Sequence, residues 1–107
     1  MSVNHPLETQ NKTVNYDNIN YLINEVENTA GVIDCEQSLN KIIIPRSIKQ
    51  GSKEYEVTSI LDNAFAKSKI KIVQFASDSK LQTIGKYAFA HTRIKNITIP
   101  SSVKFIF

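Results

Sequence analysis

The chain is short of the residues that mark chemistry. Its 107 residues include one cysteine, no tryptophan, two histidines, three glycines and three prolines. A lone cysteine, Cys35, excludes an intramolecular disulfide and a cysteine-based zinc cluster. It reads as a small buried hydrophobe, because a reactive thiol needs a neighbouring base or a cationic pocket and the sequence points to neither. His5 and His91 stand far apart, and no motif flags a nucleophile that either could serve. Asp34, Asp62 and Asp78 are scattered singly, whereas a calcium loop needs them clustered. No glycine-rich phosphate loop is present. These absences argue against an enzyme, a metal site and a cofactor.

Long apolar runs are missing too. No window reaches 18 apolar residues, so no membrane-spanning helix is expected. The first residues, MSVNHPLETQNKTVNYDN, have neither a basic n-region nor an apolar h-region, so they are not a secretory signal. The compartment stays open: the chain is intracellular, has lost a leader, or is exported by another route. Asn11-Lys-Thr13 and Asn96-Ile-Thr98 are glycosylation sequons that matter only after export.

What is present is a repeat. Residues 57–80 and 81–104 superpose when one is slid by 24 positions. Val57 then falls on Leu81, Ile60 on Ile84, Ala64-Phe65-Ala66 on Ala88-Phe89-Ala90, Ile70 on Ile94, Val73 on Ile97, Phe75 on Ile99 and Lys80 on Lys104. A fixed period of this size means stacked units, because one unit cannot bury its own apolar face. Half a copy lies upstream, where Leu39-Asn-Lys-Ile-Ile-Ile-Pro45 matches Ile94-Lys-Asn-Ile-Thr-Ile-Pro100.

Each unit has two parts. The Ile-x-Ile segments alternate, so they read as strands with one buried face. Ile42 and Ile44, Val73 and Phe75, and Ile97 and Ile99 are expected to point inward. Phe65 and Phe89 are expected to stack in the core, and truncating Phe89 to alanine is expected to cost roughly 3–5 kcal/mol. The expected fold is therefore a mainly-β solenoid with one parallel strand per repeat and short return turns. Residues 1–15 read as a flexible tail and 16–38 as an N-terminal β-hairpin cap. Residues 39–107 read as the repeats: a half repeat at 39–56, full repeats at 57–80 and 81–104, and a truncated end at 105–107.

The motif Leu81-x-x-Ile84-Gly85-x-x-Ala88-Phe89, followed by Ile94-x-x-Ile97-x-Ile99-Pro100-Ser-Ser-Val103, resembles the BspA-like class of leucine-rich repeats. The copy at 57–80 departs from it, with Leu61 where glycine is usual and Phe75-Ala76-Ser77 where Ile-Pro-Ser is usual. Ser68 and Thr92 stand where the family often has cysteine. The resemblance implies an adhesion or protein-interaction module, of the kind found on the surfaces of bacteria and protozoan parasites.

The net charge of +3 conceals an asymmetry. Residues 1–56 carry five Lys/Arg and eight Asp/Glu, whereas residues 57–107 carry eight and two. Strand parity leaves Lys41, Ile72 and Asn96 in one outward column and Ile43, Gln74 and Thr98 in another, with Lys71 and Lys95 beside them. These eight residues are the expected partner-binding set. Ile43 and Ile72 would form a small apolar patch on a wet face. Phe105, Ile106 and Phe107 are apolar where a further unit should begin, so self-association through that edge is the second expectation. A third, weaker reading is nucleic-acid binding by Lys67, Lys69, Lys71, Lys86, Arg93 and Lys95, although the nearby aromatic residues fall at core positions.

Overall fold

Two polar residues make the first turn. Asp17 and Asn18 adopt φ of 54° and 68°, the left-handed pair that a two-residue hairpin requires and that Asp and Asn tolerate well. They join β1 (Asn11–Tyr16) to β2 (Ile19–Asn24), with Tyr16 opposite Ile19. The structure is a computed structural model and describes residues 11–107. The flexible tail expected over 1–15 is thus a strand from Asn11 onward, and His5 lies outside the described residues.

Ile19, Tyr21 and Ile23 of β2 are buried, following the two-residue period of a strand. The Asn24 side-chain oxygen accepts from the backbone N–H of Val26 (2.9 Å) and of Glu27 (3.0 Å), and this turns the chain into β3 (Thr29–Cys35), antiparallel to β2. β4 (Lys41–Ile44) follows. Next, β5 (Ser47–Gln50) and β6 (Lys53–Ile60) form an antiparallel pair whose tip is Gly51, at φ 64°.

From here copies of the unit stack. β7 (Ile72–Phe75) pairs in parallel with β4, with Lys41 opposite Ile72 and Ile43 opposite Gln74. β8 (Thr83–Ile84) pairs in parallel with β6, and β9 (Phe105–Ile106) with β8. The seven-stranded sheet runs β1-β2-β3-β6-β8-β9 with β5 paired to β6, and β4-β7 form a second sheet. No helix occurs among the described residues. The molecule extends 53 × 27 × 26 Å.

The sequence pattern predicts one parallel strand per unit, but the structure has two short parallel ladders. The physical reason lies in the stacking. Once like segments lie one unit apart, an extended stretch can meet its copy, and β4 with β7 and β6 with β8 find backbone partners in this way. The Ala-Phe-Ala turns stack in the same way. Asn63, Phe65 and Lys67 donate backbone N–H bonds to the carbonyls of Lys86, Ala88 and Ala90 at 2.8–2.9 Å. Asn63 and Tyr87 share a positive φ, as do Lys67 and His91. The strain of that conformation, roughly 1–3 kcal/mol per residue, is offset by this bonding.

The core includes Ile42, Ile44, Ile48, Tyr55, Val57, Ile60, Phe65, Ile70, Leu81 and Ile84. Phe65 and Phe89 stack with ring centroids 5.4 Å apart. Phe65 is 1% exposed, whereas Phe89, Ile97 and Ile99 are only half-buried and pack against the rim of the core. The expected full-core role of Phe89 is therefore stronger than its packing among the described residues. Residues 94–99 form no strand. The register also shifts. Ser59 pairs with Thr83, 24 residues on, but Thr83 pairs with Phe105, 22 residues on. Lys104 donates its N–H to Gln82 at 2.8 Å, so a new layer begins about Val103 and the repeat boundary expected at 104 moves upstream.

Candidate interaction face

The β4–β7 sheet turns one side to solvent. Ile42, Ile44 and Val73 are buried, so strand alternation forces Lys41, Ile43, Ile72 and Gln74 outward, and all four are exposed. Ile43 is 53% exposed and Ile72 48%. They sit diagonally across the pair, two register positions apart with the Ile42–Val73 pair between them. Lys71 lies at the entry of β7, its N–H bonded to the Asn40 carbonyl at 2.7 Å.

Lys95, Asn96 and Thr98 are exposed as well, but they sit across a gap rather than on a third strand. The last backbone link before the gap is Arg93 N–H to the Ile70 carbonyl, 3.0 Å. Among the described residues no backbone hydrogen bond then joins 94–99 to β7. Two grooves occupy that space. One, of about 650 Å³, is walled by Ile72–Ala76 and by Asn96, Thr98, Ile99 and Pro100. The other, of about 670 Å³, is lined by Lys71, Ile72, Arg93, Lys95 and Asn96. Sequence reasoning left Arg93 out of the partner-binding set. The signal was there in the basic stripe, but the gap that gathers Arg93 with Lys71 and Lys95 depends on the missing strand pairing.

Ion pairs lie elsewhere. Arg46 approaches Glu56 and Asp78 at 3.4 Å each, and Glu25 approaches Lys12 and Lys53 at 3.5 and 4.0 Å. These are exposed pairs, each worth about 0–1 kcal/mol. Among the described residues, Lys71, Arg93 and Lys95 have no such partner, so their charge is available to a ligand.

The perturbed ionisable groups lie at the opposite, N-terminal end. Burial pushes the Cys35 thiol up to about 11, with Asp34 and Glu36 adding to the effect. It raises Tyr21 as well, helped by Asp17 and Tyr16. Glu36 is lowered by the hydrogen bond its carboxylate accepts from the Ser38 hydroxyl. A thiol so displaced stays protonated at neutral pH and supplies no thiolate nucleophile. No cluster of three or more His, Cys, Asp or Glu forms among the described residues. No helix among them is long and apolar enough to cross a membrane, a statement that does not bear on β-barrels.

At the far end Phe105, Ile106 and Phe107 are all more than half exposed. The rings of Phe105 and Phe107 stack at 6.3 Å, and β9 forms the outer edge of the large sheet.

The sequence model of one family, described as a BspA type leucine rich repeat region of 6 copies, matches residues 34–107. No curated protein matches the chain. Solved structures do. A leucine rich cell surface protein from Faecalibacterium prausnitzii is similar at 27% identity and a TM-score of 0.73, over 89% of this chain and 26% of that one. A leucine-rich repeat protein from Bacteroides capillosus is similar at 24% identity and a TM-score of 0.61, over 87% of this chain and 86% of the other. The pneumococcal vaccine antigen PcpA is similar at 23% identity and a TM-score of 0.61, over 89% and 34%. The chain thus spans about a quarter of the first of these proteins and a third of the last.

Proposed function

The chain belongs to the BspA-type leucine-rich repeat family, and from that premise we propose that it is a non-enzymatic protein-binding or adhesion module that holds its partner on the β4–β7 face. The observation that carries this reading is the exposed pair Ile43 and Ile72. On a wet strand face two large aliphatic side chains stand beside Lys41, Lys71 and Gln74. Apolar anchors ringed by polar side chains are how protein interfaces concentrate binding energy. The cell-surface relative supports an extracellular setting. In this reading β1–β3 cap the first layer of a short solenoid, and Lys41, Ile43, Ile72 and Gln74, with Asn96 and Thr98 across the gap, form the contact surface.

A partner first identified by cross-linking and mass spectrometry would be purified and titrated against the wild type and an Ile43→Glu/Ile72→Glu variant. The expected result is an affinity loss of at least about tenfold, or 1.4 kcal/mol, with unchanged melting. Unaltered affinity overturns the footprint.

A second reading rests on Phe105, Ile106 and Phe107. An edge strand bearing exposed apolar side chains is a template for a second chain. Light scattering over a concentration series separates the two readings, because a monomer at the highest concentration removes self-association.

A further inference from the structure

Because Ile72 and Ala76 donate their backbone N–H groups to Asn40 and Ile44, the parallel ladder spends alternate residues of β7 on β4. The amides and carbonyls of Val73 and Phe75 therefore face the other way, into the groove of about 650 Å³. They meet no backbone partner among residues 94–99. The groove is thus walled by an unpaired strand edge on one side and by Asn96, Thr98 and Ile99 on the other. Such an edge recognises extended peptide by adding a strand.

The charge at one end of the groove narrows the ligand. Lys71, Arg93 and Lys95 line the adjoining groove, which shares Ile72 and Asn96 with the first. Neither groove is lined by a carboxylate, and no ion pair neutralises the three cations among the described residues. Ile72, half exposed between the grooves, offers an apolar contact. We propose that the gap between β7 and residues 96–100 is a peptide-binding groove that takes an extended protein segment as an added strand, with acidic residues of that segment held by Lys71, Arg93 and Lys95.

The inference deepens the proposed function, since it names a partner class and a binding mode for the neighbouring face. It explains the opened ladder, the uncompensated cations and the exposed Ile72 together. Backbone pairing to Val73 and Phe75 supplies sequence-tolerant affinity, and the cationic end sets direction and charge preference.

The probe is a fluorescent peptide, Asp-Glu-Val-Thr-Val-Thr, titrated against the full chain by anisotropy. Three competitors accompany it: a Lys-Lys-Val-Thr-Val-Thr peptide, an acidic peptide N-methylated at alternate amides, and a short oligouridylate. The expected result is binding of the acidic peptide that weakens with salt. A loss of at least about tenfold is expected with the N-methylated peptide, with the basic peptide and with Lys71→Glu/Arg93→Glu/Lys95→Glu. All three substitutions are on exposed side chains, and melting curves verify that the variant is folded. Should it fail to fold, the N-methyl and charge-reversed peptides still decide. No binding, equal binding of the N-methylated peptide, equal binding of the basic peptide, or tighter binding of the oligouridylate each overturns the proposal. The protein-binding reading falls separately, through Ile43, whose substitution leaves both grooves intact. If Ile43→Glu abolishes partner binding while no peptide binds, the face stands and the groove does not.

Discussion

The two copies at 57–80 and 81–104 carry nearly the same pattern, yet the fold treats them differently. Phe65 is fully buried and Phe89 is half-buried. Val73 lies in a paired strand, whereas Ile97 lies in an unpaired segment. Ser68 is buried with no partner for its hydroxyl, while the Thr92 hydroxyl donates to the Phe89 carbonyl at 2.9 Å. Leu61 occupies the position where the second copy has Gly85. The difference teaches that in a stack the pattern specifies which face is buried, and the neighbour decides how deeply. The first copy lies between β3–β4 and the second copy. Among the described residues, β9 alone pairs beyond the second copy's β8.

The largest test of this contrast is a pair of truncations. Phe65→Ala is expected to cost about 3–5 kcal/mol, as for other buried phenylalanines, and Phe89→Ala less than half of that. Urea unfolding of both variants measures it, and equal losses break the comparison.

Gly85 gives the next effect. A Cβ there would lie 2.5 Å from the Asp62 nitrogen and 2.7 Å from the Leu61 carbonyl carbon. Gly85 must stay small because the preceding turn crosses it, with Asp62 Oδ1 accepting from Lys86 N–H at 2.8 Å. Gly85→Ala should therefore lose about 2–3 kcal/mol. In the first copy the small residue sits on the neighbour instead: a Cβ on Gly31 would meet Ser59 Oγ at 2.7 Å and the Leu61 side chain at 3.3 Å.

A smaller effect has opposite signs in the two copies. Ser68→Ala removes a buried, unpaired hydroxyl and is expected to gain about 1 kcal/mol, whereas Thr92→Ala breaks a made bond and is expected to lose about as much. Thermal midpoints of both variants decide, and shifts of the same sign contradict the reading.

The smallest effect at neutral pH lies on the enclosed side. The Cys35 thiol rises from its ordinary value of 9.0 to about 11, so the folded state holds its proton where the unfolded chain releases it. Its contribution to stability is complete below pH 9.0 and is lost as pH rises through about 11. Unfolding curves of the wild type and Cys35→Ala should converge in shape below pH 9.0 and part above it. A wild-type alkaline loss retained in full by Cys35→Ala would assign it to other groups, Tyr21 first.

Much of this was legible in the sequence. Burial of Ile42, Ile44 and Val73 and exposure of Lys41, Ile43, Ile72 and Gln74 follow from parity alone, since a one-residue slip would exchange the faces. Three features were not legible. β1 was hidden because polar, aperiodic residues 1–15 read as a tail, although Asp17-Asn18 is a hairpin turn that joins β1 to β2. The layer starting at Val103 was masked by the coincidence of Lys80 with Lys104, which kept the period at 24 where the register steps by 22. The groove depends on whether 94–99 pairs with β7, a tertiary outcome that Ile-Thr-Ile resembles Val-Gln-Phe too closely to reveal. Arg93 joins the site only through that gap.

Amide hydrogen exchange along β7 tests the central claim most directly, because among the described residues β7 owes its ladder to β4 alone. Ile72 and Ala76, bonded to Asn40 and Ile44, should exchange slowly, and Val73 and Phe75 should exchange at rates near those of open backbone. Protection of Val73 and Phe75 equal to that of Ile72 and Ala76 would mean that residues 94–99 close on β7, and would contradict both the open second copy and the groove beside it.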